Sequence, residues 1–137
     1  MDKILIIVAC GQLGTELTQK LRELKGTENV IASDIRDEPV PLISDGPYEK
    51  LDIMKGESFN AILEKHDIKE VYHLAAVLSA KGEQNPLFAW DLNMKSLLLV
   101  LEAGKERIKK IYWPSSIAVF GPDTPKDNTP QNTFMNP

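Results

Sequence analysis

The sequence predicts an α/β fold, a doubly wound parallel sheet of five strands in the order 3-2-1-4-5. Three observations predict it. Short apolar runs of strand length alternate with segments of helical period. The strand-like ends carry glycine, acidic, small or hydroxyl residues at Gly11–Gly14, Asp34, Asp52, His73–Ala76 and Ser115/Ser116. The composition, 42% hydrophobic and 26% charged over 137 residues, suits one domain with a core of its own.

Taken in order, Lys3 to Val8 is a continuous apolar run, as in a strand buried on both faces of a parallel sheet. From Gln12 the period changes, and Leu13, Leu17, Leu21 and Leu24 are predicted to share the buried face of a helix with Gly26 as its C-cap. "NVIASD" (29–34) reads as a second strand ending in an acid, and the stretch with Pro39, Pro41 and Pro47 as loop. "YEKLDI" (48–53) is a short third strand. Ser58 to His66 follows as a helix with Phe59, Ile62 and Leu63 inward. "EVYHLAA" (70–76) is the fourth strand. Asn85 caps a long helix that begins at Pro86 and closes at Gly104. "IKKIYWPSS" (108–116) is the fifth strand. The tail from Gly121 carries four of the nine prolines and no element long enough to pack; the chain has no internal repeat.

The totals exclude several functional classes. A net charge of -4 argues against nucleic acid or an anionic membrane as main partner. No run approaches the roughly 20 apolar residues of a membrane helix, and "MDKILII" lacks the basic start of a signal peptide. A lone Cys10 allows no internal disulfide, and with His66 and His73 as the other nitrogen or sulfur donors a zinc site is not expected. The expectation is a cytoplasmic protein with no metal.

In an open parallel sheet, right-handed crossovers bring the C-terminal ends of all strands to one edge, where ligands bind. Gly11 and Gly14 stand where the first strand meets the first helix. Glycine there lets backbone amides approach a pyrophosphate, and the helix N-terminus favours its charge; a plain strand-to-helix turn is the competing reading. Asp34 ends the second strand 20 residues beyond Gly14. A carboxylate at that point can accept both hydroxyls of an adenosine ribose and repels a 2′-phosphate, which favours NAD over NADP; a solvated strand end or cap is the competing reading. Asp52 can receive the adenine amino group or be a loop acid. "HLAA" supplies small side chains along which a dinucleotide can lie. His73, between apolar neighbours, is expected to be structural, and Cys10 to be a small turn residue. Ser115 and Ser116 lie where a nicotinamide would reach, and a hydroxyl there can orient a substrate alcohol.

"ACGQLG", "ASDIR", "LDI", "HLAA", the asparagine of "DLNMKS" and "PSSIAVFG" together resemble the extended short-chain dehydrogenase/reductase family, with its NAD-dependent epimerases and dehydratases. "CGQLGTEL", "LSAKGEQNPLFAWDLNM" and "PSSIAVFGPDTPKDNTPQ" look like its L-threonine 3-dehydrogenase branch. The resemblance implies a Rossmann-like domain over residues 1–137 and NAD as cofactor. It implies that Gly11, Gln12, Leu13 and Gly14 hold the pyrophosphate. Asp34 would take the ribose with Ile35 and Arg36 nearby, and Asp52 and Ile53 would border adenine. Leu74, Ala75 and Ala76 would pass along the cofactor, with Asn93 steadying the central helix and Ser115 at the nicotinamide end. Ser116 would be the active-site hydroxyl and Ser79 would face the substrate. The implied reaction oxidises the β-hydroxyl of L-threonine to 2-amino-3-ketobutyrate. The implied assembly is a homodimer through the 86–103 helix, whose Leu87, Phe88, Trp90, Met94, Leu97, Leu98 and Leu101 exceed one core-facing stripe.

The chain departs from the family pattern at two points. The family's turn opens with glycine and this one with Val8, a β-branched residue poorly suited to positive φ. The family's catalytic Tyr-x-x-x-Lys is expected a few residues beyond Pro137, so residues 1–137 alone are expected to be inactive. Two other functions remain open: a UDP-sugar 4-epimerase or dehydratase using the same edge, and a non-catalytic NAD-binding sensor.

Overall fold

A computed structural model of the chain describes every residue except Leu78, and of Ser79 and Ala80 the backbone alone. Five parallel strands form one sheet in the order β3-β2-β1-β4-β5, as the sequence predicts. They are β1 (Lys3–Ile7), β2 (Val30–Asp34), β3 (Tyr48–Lys50), β4 (Ile68–His73) and β5 (Lys110–Tyr112). The helices are α1 (Gln12–Lys25), α2 (Gly56–His66), α3 (Ser79–Gln84), α4 (Pro86–Trp90) and α5 (Ser96–Arg107).

The central β1 explains the two-sided core. Its side chains alternate between faces. Leu5 and Ile7 join Ile31, Phe59, Leu63, Val71 and Val100 on one side. Ile4 and Ile6 join Val30, Ala32, Ile43 and Leu21 on the other. Parallel register sets Ile7 beside both Ser33 and His73, so β1, β2 and β4 end nearly level at one edge.

Four local expectations are corrected. Helix α1 buries only the middle of its leucine stripe: Leu21 is in the core and Leu17 packs against it, but Leu13 and Leu24 are 70% and 61% exposed, and Gly14, Thr15, Thr18 and Arg22 face inward. The cause is close approach. A Cβ on Gly14 would stand 2.2 Å from the Val8 carbonyl oxygen, so the helix presses its small residues on the sheet. Thr15 and Thr18 satisfy their hydroxyls on the carbonyls of Gly11 and Gly14, at 2.8 and 2.7 Å.

The helix expected from Pro86 to Gly104 is interrupted. Asn85 does cap its start, accepting from the Phe88 amide at 3.2 Å. A π-turn over Asp91–Lys95 then separates α4 from α5. Gly104 does not close α5, which runs on to Arg107; a Cβ at Gly104 would meet Ile111 Cδ1 at 2.9 Å, so glycine serves the packing of α5 on β5.

The third and fifth strands are shorter than their apolar runs. β3 stops at Lys50 and β5 at Tyr112, and the fourth strand, expected over 70–76, runs from Ile68 to His73 and ends before Leu74. Beyond Tyr112, Pro114 carries no N–H for a ladder. Finally, α3 lies within a segment assigned no element from the sequence.

Among the described residues, no helix is long and apolar enough to cross a membrane, and no group of three or more His, Cys, Asp or Glu side chains could hold a metal ion.

Candidate functional site

Strand β1 delivers the chain into the turn at Val8, whose φ is 66°, a left-handed conformation that costs a β-branched residue. The backbone then meets β2: the Ala9 amide donates to Ser33 O at 2.9 Å and the Cys10 amide to Asp34 Oδ2 at 3.0 Å. Gly11 is the N-cap of α1 and supplies no capping side chain, and the first turn holds no acid. The opening amides of α1 therefore meet no side-chain acceptor, and the macrodipole there favours an anion. Gln12 and Leu13 are exposed at this helix start.

Asp34 is only 8% exposed, and its second oxygen accepts from the Ile35 amide at 2.8 Å. Two backbone bonds occupy about half of the roughly four acceptor positions of a carboxylate. The rest can take ribose hydroxyls while the turn keeps the group in place. A dinucleotide fits these residues: an uncapped helix start for the pyrophosphate, a fixed carboxylate for the ribose, and small side chains beyond.

Beyond Asp34, Ile35 is 63% exposed and Arg36 is exposed. Asp52 turns its Oδ1 back to the Met54 amide at 3.0 Å and is half-buried, whereas the Ile53 side chain is committed to the core, 5% exposed. In the other direction the Leu74 amide donates to Ile7 O at 3.3 Å, Ala75 is buried and Ala76 exposed. Asn93, in the π-turn, accepts from the Val77 amide at 2.7 Å and donates to its carbonyl at 3.4 Å. It thus pins the segment after β4.

His73 is fully buried, as a structural residue would be, with Nε2 3.0 Å from Ser96 Oγ. The Ser96 hydroxyl in turn donates to Leu92 O. His73 therefore donates from Nε2, and its Nδ1 has no partner among the described residues. Burial pushes its pKa down from 6.5 to about 4, so the ring is neutral at pH 7.

Ser115 and Ser116 are both exposed. Ser116 Oγ caps the short 3-10 turn Ile117–Val119 by accepting from the Ala118 amide at 3.1 Å, which leaves its proton free to donate. The Ser79 side chain lies outside the described residues. Cys10 is a half-buried free thiol in the turn.

Two supporting residues escape a reading of the sequence. Buried Arg22 reaches from α1 to Ile43 O and Pro47 O at 2.7 and 2.8 Å and pairs with Asp45 at 2.8 Å, holding the loop before β3. Tyr48 donates from β3 to Arg36 O at 2.7 Å. Arginine's place in an exposed-looking helical pattern, and tyrosine's in a three-residue strand, carry no signal of these reaches.

A groove of about 490 Å³ lies away from the sheet edge, lined by Met54, Lys95, Leu98, Leu99, Leu101 and neighbouring polar residues of α5. It is apolar surface on the long helix, without the polar groups gathered at the strand ends.

Comparison with known proteins identifies the family and agrees with the fold. Residues 4–137 match the NAD dependent epimerase/dehydratase family. An uncharacterized epimerase/dehydratase of Staphylococcus haemolyticus is 46% identical over 100% of this chain and 43% of its own length. The X-ray structure of L-threonine dehydrogenase from Clostridium difficile superposes with a TM-score of 0.90 at 47% identity, over 100% of this chain and 43% of that one. A GalE-like L-threonine dehydrogenase from Cupriavidus necator, in its holo form, gives 0.91 at 46% identity over 98% and 44%. A monomeric L-threonine 3-dehydrogenase from a metagenome gives 0.86 at 46% over 98% and 42%. The chain spans less than half the length of these relatives. By the match over residues 4–137 and a sheet order shared with these relatives, the chain belongs to the NAD-dependent epimerase/dehydratase family, with NAD as cofactor.

Proposed function

We propose that the protein oxidises L-threonine to 2-amino-3-ketobutyrate with NAD, and that residues 1–137 form most of its cofactor-binding domain. The observation that carries this reading is the pairing of an uncapped α1 N-terminus with a backbone-anchored Asp34 at one sheet edge. Relatives described as L-threonine dehydrogenases, 46–47% identical over almost the entire chain, support the substrate.

NAD, when bound, would supply the acceptor for the hydride of the threonine Cβ–H. In this reading the amides of Gly11, Gln12, Leu13 and Gly14 hold the pyrophosphate and Asp34 takes the ribose. Ile35, Arg36, Asp52 and Ile53 border the adenosine. Leu74, Ala75, Ala76 and Ser115 follow the cofactor toward the nicotinamide, and Asn93 fixes that path through Val77. Ser116 donates to the substrate hydroxyl oxygen.

The protein acts in the cytoplasm as a homodimer through α4 and α5. Leu87, Phe88 and Trp90 of α4 and Leu98 of α5 support the dimer, being 81%, 55%, 65% and 59% exposed. Sedimentation of the full-length protein at micromolar concentration distinguishes a dimer from the monomer seen in one relative.

The deciding assay incubates full-length protein with NAD and either L-threonine or UDP-galactose. Threonine-dependent NADH formation is the expected result. Epimerisation of UDP-galactose without it makes the protein a sugar epimerase, and NAD binding with neither turnover makes it a sensor.

A further inference from the structure

We propose that Tyr48 is a positioning residue for cofactor selection. Its hydroxyl fixes the chain after Asp34 so that the Asp34 carboxylate, and not the Arg36 guanidinium, meets the 2′ position of the adenosine ribose. The proposal rests on reading the sheet edge as an NAD site.

Tyr48 and Lys50 stand in register with Ala32 and Asp34 of β2, and side chains two apart on a strand share a face. From that face Tyr48 Oη donates to Arg36 O at 2.7 Å, and the Lys50 ammonium pairs with Asp37. The Asp34 carbonyl accepts from the Leu51 amide at 2.7 Å, and the Asp34 side chain accepts from the Ile35 amide at 2.8 Å. Every residue from Asp34 to Asp37 is therefore tied down, although Ile35, Arg36 and Asp37 are exposed.

The tie has a chemical consequence. Within this segment an anion that repels a 2′-phosphate stands two residues from a cation that attracts one. The backbone path between them decides which group reaches the ribose. The Asp34 carboxylate is held by the Cys10 and Ile35 amides, and Tyr48 Oη reaches only the Asp34 carbonyl, at 3.5 Å, so the path of Arg36 is what its shorter bond sets. Burial, with the neighbouring Cys10 and Asp34, pushes the Tyr48 phenol pKa up, so the hydroxyl keeps its proton across the neutral range.

The test is Tyr48→Phe in the full-length protein, with NAD and NADP dissociation constants measured by titration calorimetry. Loss of one neutral hydrogen bond predicts NAD binding weaker by about fivefold. NADP binding tightens, so that preference for NAD narrows by about tenfold or more. The value of kcat at saturating NAD stays within about twofold while KM for NAD rises. Adding Arg36→Ala removes the gain in NADP binding. A Tyr48→Phe protein with the parent's NAD-to-NADP ratio overturns the proposal, and so does a narrowed ratio that survives Arg36→Ala. If Tyr48→Phe does not fold, Arg36→Ala in the parent decides: unchanged NADP affinity is expected of a guanidinium held away from the 2′ position, and weakened NADP binding overturns the proposal. A parent protein that binds neither dinucleotide overturns the NAD reading and this proposal together. A parent that binds NAD beside an unaltered Tyr48→Phe variant removes the proposal alone.

Discussion

The carbonyl oxygen of Val8 lies 2.2 Å from the place a Cβ on Gly14 would occupy, and Ala9 Cα lies 2.7 Å from it. The turn that opens the binding edge and the first turn of α1 are thus in direct contact, backbone against backbone. Neither atom is the end of a flexible side chain. Gly14→Ala must therefore lift α1 from the sheet, with a cost of about 1–3 kcal/mol for overpacking. Urea denaturation should show a lower midpoint with the slope unchanged, and NAD affinity should fall with it because the helix N-terminus moves. A variant as stable as the parent would show that α1 can retreat freely.

Val8 itself bears the strain. At φ 66° a β-branched residue sits in a region that costs about 1–2 kcal/mol. Its Cγ1 lies 3.6 Å from the Cβ position of Gly11, so its methyl group occupies the inner side of the turn. Val8→Gly relieves the conformation, offset by about 0.5–1 kcal/mol of glycine's greater backbone entropy. Stability should change little or rise slightly. NAD affinity should rise by about tenfold, the equivalent of 1.4 kcal/mol, as the turn gains freedom to close on the pyrophosphate. Unchanged NAD binding by Val8→Gly would mean that the turn accommodates valine at no cost to the ligand.

His73 gives the fold a pH dependence. Burial lowers its pKa from 6.5 to about 4, so folding favours the neutral ring. Its contribution is complete above pH 6.5 and is lost as pH falls from there through 4, where the unfolded chain binds a proton that the folded one resists. The full span corresponds to about 3 kcal/mol, and a fall from pH 7.5 to 5 to about 2 kcal/mol. His73→Gln keeps an N–H for Ser96 and does not titrate. Denaturation at the two pH values should show the parent losing this increment and the variant losing far less. Equal losses in both would place the acid sensitivity elsewhere.

What the sequence reveals and conceals divides along physical lines. Strand order follows from periodicity and connection rules, so Lys3–Ile7 stands at the centre of a parallel sheet as expected. The Asp34 position is legible because its spacing from Gly14 is fixed by one βαβ unit. The burial of α1 is not legible, because a leucine stripe implies a helix resting on its large residues. Contact at Gly14 instead turns Leu13 and Leu24 to the outside. The π-turn is hidden for a similar reason. Asp91–Lys95 has ordinary helical residues, and the widening accompanies tertiary bonds from Asn93 to Val77 and from His73 through Ser96 to Leu92. Arg22 and Tyr48 act on carbonyls of distant loops, which no local pattern encodes.

Ser116 carries two separable duties, and three variants separate them. Its oxygen caps the Ile117–Val119 turn through the Ala118 amide, and its proton is proposed to reach the substrate hydroxyl. Ser116→Ala removes both. It should cost about 1 kcal/mol of stability for the cap and lower turnover by roughly ten- to a hundredfold, with the NAD dissociation constant unchanged because the proposed partner is the substrate. Ser116→Asn retains a side-chain acceptor for the Ala118 amide and so restores stability, but it replaces the hydroxyl donor by an amide of different reach, and turnover should stay low. Ser116→Thr retains both the acceptor and the hydroxyl and should recover most of the rate. Stopped assays with saturating NAD and threonine, alongside thermal melts, read the two duties independently. Full turnover in Ser116→Ala would remove the residue from the chemistry and leave it the cap alone.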